Sequence, residues 1–140
     1  MKWWSHQLSA LLLAYAVSPW TPSSALLLPL VFLGAVFPDI IEYLFFVKHR
    51  SLHELAIYLA LPPLLVVTGF PYLLAFAYAS IDHILVDAMT KQGVKVFGKR
   101  VSWVLKTNRL PDNFVPILLH AALAYLAAGG YPLTLLAPPH

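Results

Sequence analysis

The sequence predicts an all-α fold, a polytopic integral membrane helical bundle of about five helices forming a single membrane domain over residues 1–140. Three observations carry that expectation. First, 60% of the side chains are apolar and only 11% are charged, with a mean hydropathy of +0.75, whereas soluble domains are about a quarter charged. Second, several apolar runs reach or approach the roughly 20 residues that a helix needs to cross the hydrocarbon of a bilayer. Third, the cations are sorted. All nine Lys and Arg residues fall in three places that five crossings would bring to one face, as the positive-inside rule requires of cytoplasmic loops.

Each segment has its own justification. The first, about Ser5–Pro19, follows Lys2 and the Trp3–Trp4 pair, which reads as an interfacial anchor. Its basic start, short apolar run and the small-x-small pair Ala14 and Ala16 also fit a signal peptide. The second, about Ser24–Val47, ends at Lys48, His49 and Arg50. The third, about Leu52–Thr68, contains Pro62-Pro63, which is expected to kink or shorten it. The fourth, about Pro71–Thr90, lies between TGFP and KQG, and the fifth, about Phe114–Gly129, lies between RLPDN and AGGYP. Pro and Gly at these junctions mark helix ends. The loops assigned to the other face, TPSS and TGFP, carry no charge. The N-terminus is therefore expected in the cytoplasm and the C-terminus outside the cell membrane.

Residues 91–113 are expected to form a basic cytoplasmic interfacial loop. Six cations and one acid are interleaved there with Phe97, Trp103 and valines, a composition that suits a hairpin or short amphipathic element against anionic lipid. Retention of positive charge on the inner face accounts for the same residues more simply. Nucleic acid is not expected as a partner, because no nucleic-acid-binding fold is recognisable.

Function is argued from the ionisable side chains inside apolar segments. A charge at the centre of a membrane helix costs roughly 2.5–3.5 kcal/mol on insertion scales, so several of them call for a shared purpose. Imidazoles and carboxylates that converge suggest a bound divalent cation. The chain has no cysteine, which leaves His, Asp and Glu as the donors. His83 and Asp87 are four apart and share a helical face; Asp39 and Glu42 are three apart and do the same. In the second pair, one carboxylate can bind metal while the other orients a ligand or a water. His53 opens the third segment and His6 the first. Plainer readings stand beside these. His83 and Asp87 also suit a buried ion-pair network, Asp39 can satisfy backbone groups freed by Pro38 or pair with Arg50, and Glu54 suits a helix start. Asp82 is out of phase with His83 and reads as a salt-bridge partner, and His49 reads as interfacial. His120 and His140 belong elsewhere.

The order SHQLSA, GAVFPDI, HRSLHEL and IDHILVDAMTKQGV resembles the LexA-regulated, membrane-bound metal-dependent hydrolases over about residues 5–97. Their pattern has an early His, a Pro-Asp-Ile element, a His-Arg segment followed by another His, and Ser-His-Ile-Leu-x-Asp leading to Thr and Gly-Val. This chain departs from it at Ile41, where the family often has a second Asp, and in a His-Arg segment one residue shorter. The family is regarded as distantly related to zinc-dependent phospholipase C and single-strand nucleases, whose ligand order is similar to Asp39, His53 and His83-x-x-x-Asp87. Their second His-x-x-x-Glu helix has no counterpart here.

These readings combine into an expectation of a membrane-bound metal-dependent hydrolase of a phosphoester or phospholipid headgroup. His6, Asp39, His53, His83 and Asp87 are the expected ligands of a divalent metal, zinc foremost. Such a metal brings the pKa of bound water toward ~7. Asp39 or Glu42 is the expected general base, and Arg50 the expected phosphate clamp. The alternative is a non-enzymatic membrane protein that binds or conducts a metal ion or protons. The outer halves of the segments are apolar, which favours a closed-ended site.

Overall fold

A computed structural model describes residues 1–17, 27–46, 52–70 and 73–127. In chain order the elements are α1 (Trp3–Val17), α2 (Leu27–Leu44), α3 (Leu55–Leu59), α4 (Leu61–Val67), α5 (Leu74–Ala88), β1 (Val94–Val96), β2 (Lys99–Val101) and α6 (Leu110–Ala127). Helix α2 packs most extensively on α5. Helix α1 lies against α6 and also meets α2 and α5.

Small residues set the α2–α5 distance. A Cβ on Gly34 would lie 2.3 Å from the Phe76 carbonyl oxygen and 2.9 Å from the Ala79 Cβ, so only glycine lets the two backbones come this close. Ala35 and Ala79 continue the seam into a core cluster with Ala10 and Val31. A second cluster joins Tyr58 of α3, Ile84 of α5 and Val94 of β1.

The polarity of the packing is inverted relative to a soluble domain. The buried set is rich in polar groups, including Ser5, His6, Ser9, Glu42, His53, Ser80, Asp82, His83, Asp87, Thr90, Asn113 and His120. The exposed set includes Leu28, Phe32 and Leu33 on α2 and Leu118, Leu119, Leu123 and Leu126 on α6. An apolar exterior around a polar interior suits lipid as solvent. Helices α2 and α6, of 18 residues each, are long and apolar enough to cross a membrane.

Two sequence expectations change in detail. The third segment is broken at Ala60 into helices of five and seven residues, because Pro62 and Pro63 lack the N–H groups that would continue α3. Neither piece approaches a membrane crossing in length. The all-α expectation also meets an exception, since the basic loop contains an antiparallel hairpin in which Val94, Lys95 and Val96 pair with Val101, Arg100 and Lys99. Its turn residues Phe97 and Gly98 both have positive φ, +48° and +76°, the signature of a two-residue turn that matches strand twist.

Candidate metal centre

Four elements bring the ionisable residues together. Pro38 leaves the Gly34 carbonyl of α2 without its helical donor and opens that turn, and the neighbouring Ala35 carbonyl accepts a hydrogen bond from His83 Nδ1 at 2.6 Å. His83 and Asp87, one turn apart on α5, both face inward. His53, in the extended stretch ahead of α3, is held from two sides. Its Nδ1 bonds Glu42 Oε1 at 2.9 Å, and its carbonyl accepts from Lys95 N of β1 at 2.9 Å. Glu42 Oε1 also accepts from Leu52 N at 2.7 Å. His6 of α1 stacks on His83, ring centroids 3.8 Å apart and 14° from parallel.

The imidazole Nε2 atoms then meet the carboxylates. His53 Nε2 is 3.5 Å from Asp39 Oδ1 and 3.5 Å from Asp87 Oδ2, and His83 Nε2 is 3.8 Å and 3.9 Å from the same two atoms. Bonds of 2.0–2.1 Å in a tetrahedral zinc site imply ligand separations of about 3.3 Å, a little shorter than these four distances. One ligand atom each of Asp39, His53 and His83, and one each of His6, His83 and Asp87, lie within 4.8 Å of one another. These buried groups can hold a metal ion. Among the described residues, His83 Nε2 and His6 Nδ1 are buried with no hydrogen-bond partner, an expensive arrangement unless something accepts their lone pairs.

The anchoring of the distal nitrogens has the form seen around metal-bound histidines, with a carboxylate on one imidazole and a backbone carbonyl on the other. A nitrogen that donates to a carbonyl is N–H, so Nε2 of His83 carries the lone pair. For His53, burial is the largest single influence and lowers the pKa, but hydrogen bonds to Asp39, Asp87 and Glu42 together outweigh it and raise the value to about 9.

The five residues expected as ligands fall into two groups, Asp39, His53 and His83, and His6, His83 and Asp87, which share His83. Glu42 stands behind His53 as its hydrogen-bond acceptor. Arg50, the expected phosphate clamp, and His49 and His140 lie outside the described residues. Glu54 accepts from Gly98 N through Oε2 at 3.3 Å, and Asp82 pairs with His120 at 2.8 Å. Several contributors were not readable in the sequence. Trp3 Nε1 donates to Asp39 Oδ2 at 3.0 Å, the α-amino group of Met1 lies 2.8 Å from Asp87 Oδ1, and His6 Nε2 is 3.4 Å from that same oxygen. Asn113 fixes the start of α1 by accepting from Lys2 N at 3.0 Å through Oδ1 and from Ser5 Oγ at 2.8 Å through its carbonyl. Backbone partners and contacts 36 to 111 residues apart leave no local pattern.

Fold and site together define a mostly helical, membrane-associated protein with a polar His/Asp cluster closed inside an apolar exterior. The chain belongs to the YdjM inner membrane protein family, whose profile matches residues 1–137. No curated protein and no solved structure matches the chain.

Proposed function

We propose that this protein is a multi-pass inner-membrane hydrolase that uses one divalent metal, zinc foremost, to cleave a phosphoester, with its site open to the cytoplasmic side. The observation that supports this best is the pair of anchored imidazoles whose Nε2 atoms each lie 3.5–3.9 Å from carboxylate oxygens of both Asp39 and Asp87. His53, His83, Asp39 and Asp87 hold the cation, and His6 caps the cluster from α1. Metal bound there supplies an acidified water and polarises a phosphoryl oxygen.

The residues divide the remaining work by access. The Asp39 side chain is 17% exposed while Glu42 and Asp87 are 3% and 2% exposed. Asp39 is thus the carboxylate of the cluster nearest to substrate, with Oδ1 toward the imidazoles and Oδ2 steadied by the Trp3 indole. Glu42 already receives hydrogen bonds from His53 and Leu52 on one oxygen, so it serves to position His53. The resemblance to zinc-dependent phosphoesterases supports the reaction class, and the sorted cations support a cytoplasmic opening.

A second reading, a metal-binding membrane protein without hydrolysis, rests on the same cluster. Metal content per chain after chelator-free purification, followed by assay on an activated phosphodiester and on anionic phospholipids, separates the two. Stoichiometric metal with chelator-sensitive turnover supports the hydrolase. Stoichiometric metal without turnover on any of these substrates refutes it and leaves the binding protein, and a chain that binds no metal refutes both.

A further inference from the structure

The β1–β2 hairpin is anchored on one face and unsatisfied on the other. Val94 is buried against Tyr58 and Ile84, and Lys95 N bonds the His53 carbonyl, so the hairpin is fixed to the body of the protein. Its other face pairs Lys95 directly with Arg100 across the strands. Like charges in that relation repel. Arg100 cannot turn away, because its guanidinium donates to the carbonyls of Gln92 and Lys91 at 2.9 and 3.1 Å. Beside it an open cavity of about 160 Å³ is lined by Lys91, Gln92, Leu105, Lys106, Thr107 and Asn108. Among the described residues none of Lys91, Lys95, Lys99, Lys106 or Arg109 has a carboxylate partner, and Asp112 Oδ2 is already bonded to Lys106 N at 2.6 Å.

The tip adds an apolar edge to this cationic face. Phe97 is 79% exposed and sits at φ +48°, a conformation that is strained for a bulky side chain. Trp103 and Val104, past the open end of the hairpin where Trp103 N bonds the Thr90 carbonyl at 3.1 Å, are 64% and 65% exposed. Aromatic rings flanked by lysines are the composition of a membrane interface, where the ring enters the headgroup layer and the cations stay among phosphates.

We propose that the hairpin and the Lys91–Lys106 cavity form a docking face for anionic phospholipid headgroups of the membrane in which the protein resides. The phosphate sits between Lys91 and Lys106, with Lys95 and Arg100 alongside and Phe97 and Trp103 in the headgroup layer. This face is independent of whether the His/Asp cluster is hydrolytic.

The chain has no native cysteine, so Val104→Cys carries a single environment-sensitive fluorophore on the full-length protein. In nanodiscs, phosphatidylglycerol added to phosphatidylcholine shifts the emission to the blue, and about 0.5 M salt reverses the shift by screening. Lys95→Gln, Lys99→Gln and Lys106→Gln, all at positions outside the core, each weaken the phosphatidylglycerol response about fivefold, with metal content unchanged. An emission equal in neutral and anionic discs overturns the proposal, as does an unaltered response in the triple Gln variant. So does protection of the fluorophore by a duplex oligonucleotide in neutral discs, which would assign the face to nucleic acid. The salt reversal is read on the parent labelled protein and needs no further variant.

Discussion

Metal affinity should rise steeply with pH, and His53 sets the slope. With its pKa at about 9, His53 is protonated at pH 7 before metal arrives. A cation must displace that proton to reach Nε2. Two pH units of competition amount to about a hundredfold in affinity, or roughly 3 kcal/mol. Affinity should therefore climb about tenfold per unit from pH 7 and level off near pH 9. Stability runs the other way in the metal-free protein. A raised folded pKa means that protonated His53 contributes fully below its ordinary value of 6.5, and that contribution fades as pH rises through about 9. The metal-free protein should melt lower at pH 9 than at pH 6, and the metal-loaded protein should reverse that order. Glu42→Gln sharpens the test. It retains an oxygen for His53 Nδ1 but removes a charge that raises the His53 pKa, so the plateau moves to lower pH, while affinity at pH 9 falls 10- to 100-fold through loss of the orienting carboxylate. Metal-buffered titration in detergent measures both. An affinity that is flat from pH 7 to 9 would refute the assignment of His53 as a ligand, and an unaltered affinity in Glu42→Gln with lost turnover would make Glu42 the base.

Other outcomes follow from the same geometry. His83→Ala and Asp87→Ala should each leave purified protein substoichiometric in metal by elemental analysis, since three of the four imidazole–carboxylate contacts above involve His83 or Asp87. Gly34→Leu should cost roughly 1–3 kcal/mol by overpacking, because its Cβ alone would approach the Phe76 carbonyl to 2.3 Å. By pushing α2 from α5 it should also weaken the Ala35–His83 hydrogen bond and with it metal affinity, read by thermal melting with and without chelator. Asp82→Ala should destabilise the fold by roughly 1–3 kcal/mol by leaving His120 Nε2 unsatisfied, while the protein that folds keeps its metal.

The cluster was legible in the sequence because metal donors in apolar segments are costly and therefore conspicuous, and because the i,i+4 relation of His83 and Asp87 survives any tertiary arrangement of α5. Its supports were not. The Ala35 carbonyl carries no residue identity, and Trp3 looked like an interfacial anchor because nothing local ties it to Asp39. Asn113 looked like loop punctuation, yet it fixes α1 and so places His6 on His83. The helical class was legible from composition and apolar runs. A hairpin was one of two forms expected of the basic loop, but its strands were not placed, because they are three residues long, with a single Val-x-Val alternation that tertiary pairing with the Glu54 region completes. The break at Ala60 was signalled by Pro62-Pro63, whose chemistry is local.

Sequence sets His83 apart from His120 by Asp87 one turn on, but says nothing of what holds His120. Geometry does. His120 Nδ1 lies 2.8 Å from Ser9 Oγ and its Nε2 2.8 Å from Asp82 Oδ1, which has the outline of a nucleophilic Ser-His-Asp arrangement. But Nδ1 also lies 2.7 Å from the Pro116 carbonyl oxygen, and an oxygen acceptor demands a hydrogen on that nitrogen. A nitrogen that donates there cannot take the Ser9 proton, and Ser9 is wholly buried. His120 is satisfied at both nitrogens by the protein itself and serves to join α1, α5 and α6. His83 is satisfied at one nitrogen and aims the other at two carboxylates without reaching either. Ser9→Ala should accordingly leave metal content and any phosphoesterase activity unchanged, measured beside a His83→Ala variant that loses both. Loss of activity in Ser9→Ala at full metal occupancy would move the chemistry to the Ser9–His120–Asp82 cluster and refute the metal-centred reading.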